Sequence, residues 1–225
     1  MKLTRHQLAQ MIDSTQIKQT ATNDDIIKLC WEAQKHHFAT VVINPCYIDL
    51  ARNTLNHTNT KICTTIGFPM GTTLPQIKAE EARQAIKLGA QELDMVMNIS
   101  ALKSKDYQAV KNDIEAVTKI KHINPNIIVK VIIETNLLTN PEKRTACKLI
   151  KQAGADYAKT STGLFGGSAT IEDIKLMRKA VGKQFGVKAA GGIRTLNDAL
   201  AMIKAGANRI GTSTAAQIIE EMPKK

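Results

Sequence analysis

Short apolar runs rich in valine, isoleucine and threonine recur along the whole chain, and each gives way to a stretch with helical spacing. T-V-V-I-N (40–44), I-C-T-T-I-G-F (62–68), L-D-M-V-M-N (93–98) and I-I-V-K-V-I-I-E (127–134) have the length and β-branched content of fully buried strands. After the first come Ile48, Leu50, Ala51 and Leu55, and after the second Ala79, Ala82, Ala85 and Ile86, apolar positions three or four apart. A-D-Y-A-K-T-S, F-G-V-K-A-A-G and N-R-I-G-T-S continue the series, and L-A-Q-M-I-D-S-T supplies a short strand near the start. Three turns, K-L-G-A-Q-E-L-D, K-Q-A-G-A-D-Y-A-K and I-K-A-G-A-N-R-I, place a glycine where a helix must end before the chain enters a strand. Eight strands in strict alternation predict a single-domain (β/α)8 TIM barrel over residues 1–225, with a short extra helix at the N-terminus. A doubly wound open sheet is the alternative, because the count of eight depends on accepting the short first strand.

Composition removes several function classes. No linker rich in proline, serine or charge divides the 225 residues. The start M-K-L-T-R-H-Q-L-A-Q-M-I-D interrupts any secretory apolar run, and no stretch is long enough to span a bilayer, so a soluble, cytoplasmic protein without membrane partners is expected. Cys30, Cys46, Cys63 and Cys147 are widely separated and read as free thiols. The five histidines form no H-x-x-x-H or H-E-x-x-H pair, and no metal is expected. The net charge of +11 could attract nucleic acid, an anionic surface or a phosphorylated metabolite. Basic residues are scattered, however, and aromatic residues make up only 4%, which leaves few platforms for stacked bases. A solvated basic surface is the favoured reading, with no nucleic-acid partner.

Four charged residues sit inside these apolar runs. Asp94, Lys130, Lys159 and Lys188 would be costly to bury unpaired, and functional groups of a parallel barrel gather at the C-terminal ends of its strands. A free lysine has a pKa near about 10.4, so an amine nucleophile needs burial or a neighbouring cation to lose its proton. Lys159 in D-Y-A-K-T-S-T-G is the candidate nucleophile, and Lys188 in G-V-K-A-A-G-G-I-R the cationic neighbour. Asp94 could pass protons through water while an imine forms, or simply pair with a lysine. G-G-I-R (191–194) and G-T-S-T (211–214) follow the last two strands, where backbone N–H groups and a helix N-terminus can hold phosphate. Gly211 belongs to that second turn, Ser213 can add a hydrogen bond, and Arg194 is left without a role.

Together these segments resemble the deoxyribose-phosphate aldolase family of class I, Schiff-base aldolases. The resemblance runs through I-D-S-T (12–15), V-I-N-P (42–45), T-I-G-F-P-M-G (65–71), G-A-Q-E-L-D-M-V-M-N (89–98), K-V-I-I-E-T (130–135), D-Y-A-K-T-S-T-G (156–163) and V-K-A-A-G-G-I-R (187–194). It implies reversible cleavage of 2-deoxy-D-ribose 5-phosphate to acetaldehyde and D-glyceraldehyde 3-phosphate, in deoxyribose catabolism. No cofactor is implied, and a homo-oligomer, dimer or tetramer, is. It implies a Schiff base on Lys159, with Lys188 and Asp94 as pKa perturber and proton relay. It also implies substrate contacts near Asp13, Thr15 and Lys130, with phosphate on the backbones of Gly163, Gly191 and Gly192 and the segment around Ser213. The sequence departs from the pattern at Ser100, where many relatives have glycine, and at Leu164, where some have a phosphate-facing lysine. It ends at E-E-M-P-K-K, without the longer tail ending in tyrosine that some relatives place over the site. An aldolase for another sugar phosphate is the nearest rival, separated by its products. A phosphate-binding barrel that senses metabolites or binds RNA is the rival from another class; it would form no adduct that borohydride can trap.

Overall fold

The computed structural model describes residues 3–223. Readings that fall on residues 1, 2, 224 and 225, including the last residues of the C-terminal segment, lie outside the described residues. Strands β1 (Ile12–Gln16), β2 (Thr40–Ile43), β3 (Lys61–Ile66), β4 (Glu92–Val96), β5 (Ile128–Ile132), β6 (Tyr157–Lys159), β7 (Gly186–Ala190) and β8 (Arg209–Thr212) pair in chain order, all parallel. The sheet closes where β8 meets β1, with Ile12 opposite Ile210 and Asp13 opposite Gly211. That closure decides for the barrel and against the open sheet.

The short helix α1 (Arg5–Ala9) precedes the barrel. The outer ring is α2 (Asn23–His36), α3 (Ile48–Thr54), α4 (Pro75–Leu88), α5 (Ile99–Lys103), α6 (Tyr107–Thr118), α7 (Asn140–Gln152), α8 (Ile171–Val181), α9 (Leu196–Ala205) and α10 (Ala215–Glu220). Helix starts follow local chemistry: Thr22, Thr170 and Thr195 accept from the backbone N–H groups of Asp25, Asp173 and Asp198. Helix α4 ends at Gly89 (φ 122°) and α9 at Gly206 (φ 120°), as the glycine turns predict.

Strand alternation divides the core in two. Leu93 and Met95, Val129 and Val131, and Val187 and Ala189 join the apolar cluster between barrel and helices, each burial contributing up to about 1.5–3 kcal/mol for the larger side chains. The alternate positions Glu92, Asp94, Lys130 and Lys188 are just as buried but contact one another inside the barrel. The interior of this barrel is therefore an ion cluster where apolar layers are usual. A second buried pair braces the strand ends. Lys78 of α4 donates to Gly71 O (2.8 Å), Val96 O (2.9 Å) and Asp113 of α6 (2.8 Å), tying the loop after β3 to the end of β4.

Candidate active site

The register places Lys159 of β6 directly beside Lys188 of β7, and Asp94 of β4 beside Lys130 of β5. Asp94 gathers all three lysines. Its Oδ2 accepts from Lys159 Nζ at 2.6 Å and Lys188 Nζ at 2.7 Å, and its Oδ1 from Lys130 Nζ at 3.0 Å. Beneath this layer Asp13 lies 2.5 Å from Lys188 and 3.0 Å from Arg209, while Glu92 lies 2.6 Å from Lys130 and 3.4 Å from Arg209. Cys63 Sγ donates to Asp94 Oδ1 at 3.2 Å.

This cluster holds four cationic side chains, Lys130, Lys159, Lys188 and Arg209, against three carboxylates, Asp13, Glu92 and Asp94. Uncompensated charge in a water-free interior is costly, so one cation is under pressure to give up its proton. Lys188, Lys130 and Arg209 each touch two or more carboxylates, whereas Lys159 touches only Asp94. Its pKa is accordingly lowered: burial is the largest cause, the Lys188 ammonium adds to it, and Asp94 opposes both. For Lys188, burial is outweighed by Asp13 and Asp94, which raise its pKa. Lys130 is likewise held well above the ordinary range, burial being outweighed first by Asp94. Burial alone would raise Asp94, but Lys130, Lys159 and Lys188 hold it well below the ordinary carboxylate range. The arrangement can thus present one neutral amine beside a charged ammonium, joined through an ionised carboxylate.

A cavity of about 220 Å³ opens above this cluster at the C-terminal ends of the strands. Lys159 reaches it, as do Thr15, Gly163, Gly191, Gly192, Gly211 and Ser213. Asp13, Asp94, Lys130 and Lys188 do not line it; they form the ionic layer below. The backbone N–H groups of Gly163, Gly191, Gly192 and Ser213 donate to no protein acceptor among the described residues, which leaves them available to an anion. Gly191 (φ 95°) and Gly192 (φ 75°) need the freedom of glycine, and a Cβ on Gly191 would stand 2.5 Å from Gly167 O. Gly211 also makes room for Lys188, whose Cε would lie 3.1 Å from an added Cβ. Leu164 is half-exposed at the same cavity, and Ser100 sits in α5. Among the described residues no group of three His, Cys, Asp or Glu side chains is placed to hold a metal ion, and all four cysteines are free thiols.

The family described as DeoC/LacD family aldolase matches residues 7–218. This chain belongs to that aldolase family. The deoxyribose-phosphate aldolase of Thermoanaerobacter sp. (strain X514) is 56% identical over 217 residues, covering 96% of this chain and 97% of that protein. The deoxyribose-phosphate aldolase of Thermococcus kodakarensis is 53% identical over 223 residues, covering 98% of this chain and 99% of the relative. A solved structure described as a unique tetrameric deoxyribose phosphate aldolase, from Aeropyrum pernix, superposes with a TM-score of 0.89 at 32% identity over 97% of this chain and 92% of that one.

In this DeoC/LacD family member, sequence reasoning missed Glu92, Arg209, Cys63 and the cavity-lining Lys18. Glu92 was within reach, since it stands two positions before Asp94 and so shares its inward face. Arg209 stands in the same relation to Gly211. Cys63 carries no signal, because a thiol is at home in any buried strand. Lys18 falls in the turn after β1 and looks like any solvated loop lysine.

Proposed function

We propose that this chain is a class I aldolase that reversibly cleaves 2-deoxy-D-ribose 5-phosphate to D-glyceraldehyde 3-phosphate and acetaldehyde through a Schiff base on Lys159. The observation that carries this reading is the position of Lys159. It is the one member of the buried cation cluster with a single carboxylate contact, and the one that reaches the cavity. The phosphate of the open-chain sugar is received by the N–H groups of Gly163, Gly191, Gly192 and Ser213, with Lys18 and Arg194 at the rim adding positive charge.

Neutral Lys159 Nζ adds to the C1 aldehyde carbon, and the carbinolamine loses its oxygen as water. Lys188 supplies a proton for that departure, passed along Asp94, whose Oδ2 contacts both amines. The resulting iminium draws in the electron pair of C2–C3 as that bond breaks, and the C3 hydroxyl gives its proton back to the Lys188–Asp94 pair that supplied the dehydration proton. Glyceraldehyde 3-phosphate leaves, the enamine takes that proton from the same pair at C2, and water adds to the iminium, releasing acetaldehyde, the neutral amine and the proton that returns to Lys188. The lysine itself serves as the electron sink, so no cofactor enters the cycle, and turnover is expected to continue in EDTA.

A homo-oligomer, dimer or tetramer, accompanies this reading. Met70, Leu74 and Ile77 stand 60%, 60% and 52% exposed within one short segment, apolar area suited to a second copy. No helix among the described residues is long and apolar enough to cross a membrane, and a cytoplasmic location is part of the proposal. Borohydride added with substrate is expected to fix a two-carbon adduct on Lys159, and Lys159→Ala to lose nearly all turnover. An active Lys159→Ala enzyme, or an adduct on another lysine, would overturn the assignment.

A further inference from the structure

Glu134 is a buried carboxylate outside the ionic cluster, and its geometry is costly. It is 1% exposed, its Oε1 has no partner, and its backbone lies in the left-handed region at φ 50° and ψ 71°, which residues with a side chain rarely occupy. Its other oxygen, Oε2, accepts the backbone N–H of Thr162 at 3.0 Å. The next residue, Thr135, donates its N–H to Thr160 O at 3.0 Å, so the chain after β5 is fastened twice to the turn that follows Lys159.

With Thr162 N–H held inward on Glu134, the following peptide turns outward. Gly163 takes φ 82° and its N–H is left free beside the cavity. The same carboxylate lies close to the far side of this loop. A Cβ on Gly167 would lie 2.9 Å from Glu134 Oε1 and 2.7 Å from Asn136 Oδ1, and Gly167 O in turn fills the space beside Gly191. Ala169 N–H closes the contact by donating to Gly191 O at 3.0 Å. One carboxylate thus holds turn 162–163 directly through Thr162 N–H and lies against Gly167, whose carbonyl in turn packs beside Gly191.

We infer that Glu134 is a positioning residue for the phosphate end of the substrate, a specificity determinant that acts through Thr162 and Gly167 without touching the reacting carbons. This rests on the aldolase reading above. Its signature separates binding of phosphate from chemistry at C1, because no contact of Glu134 reaches Lys159, Lys188 or Asp94.

The test is steady-state kinetics of the full chain on 2-deoxyribose 5-phosphate and on unphosphorylated 2-deoxyribose. Wild-type turnover of the phosphorylated sugar tests the aldolase reading first; its absence would overturn that reading and this one together. Given turnover, Glu134→Ala is expected to raise KM for the phosphorylated sugar by about tenfold or more, with kcat changed by less than about threefold and the unphosphorylated sugar used as before. Glu134→Gln keeps an acceptor for Thr162 N–H and is expected to restore most of the wild-type KM. Gly167→Ala keeps the Glu134 carboxylate but sets a Cβ against its Oε1 and Asn136 Oδ1, crowding the same loop, and is expected to reproduce the alanine variant's pattern even if Glu134→Ala fails to fold. Equal losses on both sugars, or an unchanged KM in Glu134→Ala and Gly167→Ala alike, would overturn the proposal.

Discussion

Replacing Lys188 by leucine changes the charge count on which Lys159 depends. The wild-type cluster, with four cationic side chains against three carboxylates, reaches neutrality when Lys159 is unprotonated. Without Lys188, three cations face three carboxylates, and neutrality requires Lys159 to keep its proton. Both amines contact Asp94 Oδ2, at 2.6 and 2.7 Å. Sharing one oxygen at these distances keeps them within hydrogen-bonding range of a common atom, and two unit charges roughly 4–5 Å apart interact by about 3–4 kcal/mol at an effective dielectric of about 20. Loss of Lys188 also leaves Asp94 Oδ2 to Lys159 alone, which acts in the same direction. Burial, the largest cause of the lowered pKa, remains in the variant. At neutral pH the fraction of reactive amine, and kcat/KM with it, is expected to fall by roughly two orders of magnitude or more. The assay is kcat/KM against pH for wild type, Lys188→Leu and Lys188→Arg. The rising limb of the leucine variant should move to higher pH, with much of the lost rate regained there, while arginine, which keeps the charge, should leave the limb near its wild-type position. A leucine profile at the wild-type position but lower at every pH would refute the charge argument and leave Lys188 as a proton donor only.

Asp94→Asn perturbs the same cluster in the opposite sense. Two carboxylates then face four cations, and the loss of a buried partner is expected to cost about 3 kcal/mol, a drop in Tm of roughly 6–12 °C for a chain of this size. Lys159, already lowered by burial, loses its one carboxylate contact in this variant, so its folded-state pKa is expected to fall further below the unfolded value, the unfolded chain to bind more protons, and stability to rise with pH between about 7 and 10; thermal melts across that range check the sign, and a flat response would count against it. Asp113→Ala strands the fully buried Lys78 ammonium on two carbonyl oxygens, with an expected loss of about 3–5 kcal/mol in urea unfolding, whereas Lys78→Met combined with Asp113→Leu should recover most of it. A double variant no more stable than Asp113→Ala would show that the pair does more than compensate itself.

The barrel was legible because its strands carry two signals at once: β-branched runs, and glycines such as Gly89 and Gly206 that end the preceding helices. Three lysines and one aspartate were legible for a related reason, since a charge within such a run is costly to bury unless something is there to meet it. The surface of the molecule hid the opposite case. Lys78 lies in P-Q-I-K-A-E-E-A-R, where it looks like a solvated helix lysine, yet it is 0% exposed because α4 turns that face toward Asp113 of α6. Helical spacing reports which residues share a face and says little about what a neighbouring helix brings to it.

The cluster's charge balance belongs to a different level again. Arg209 and Asp13 are separated by 196 positions and meet only because β8 closes on β1, and Glu92 completes the set from the far side of the barrel. A local reading of Lys188 as the perturber of Lys159 leaves out what keeps Lys188 charged. Asp13 does that, at 2.5 Å, and Arg209 in turn occupies the other oxygen of Asp13. Which lysine yields its proton is decided by how many carboxylates each one reaches. Lys159 reaches fewest, and it stands at the top of the layer where the cavity begins. On this argument the proposed nucleophile owes its charge state to closure of the barrel as much as to the residues flanking it, and a change to Arg209 or Glu92 bears on Lys159 without lying next to it in sequence or touching it in space.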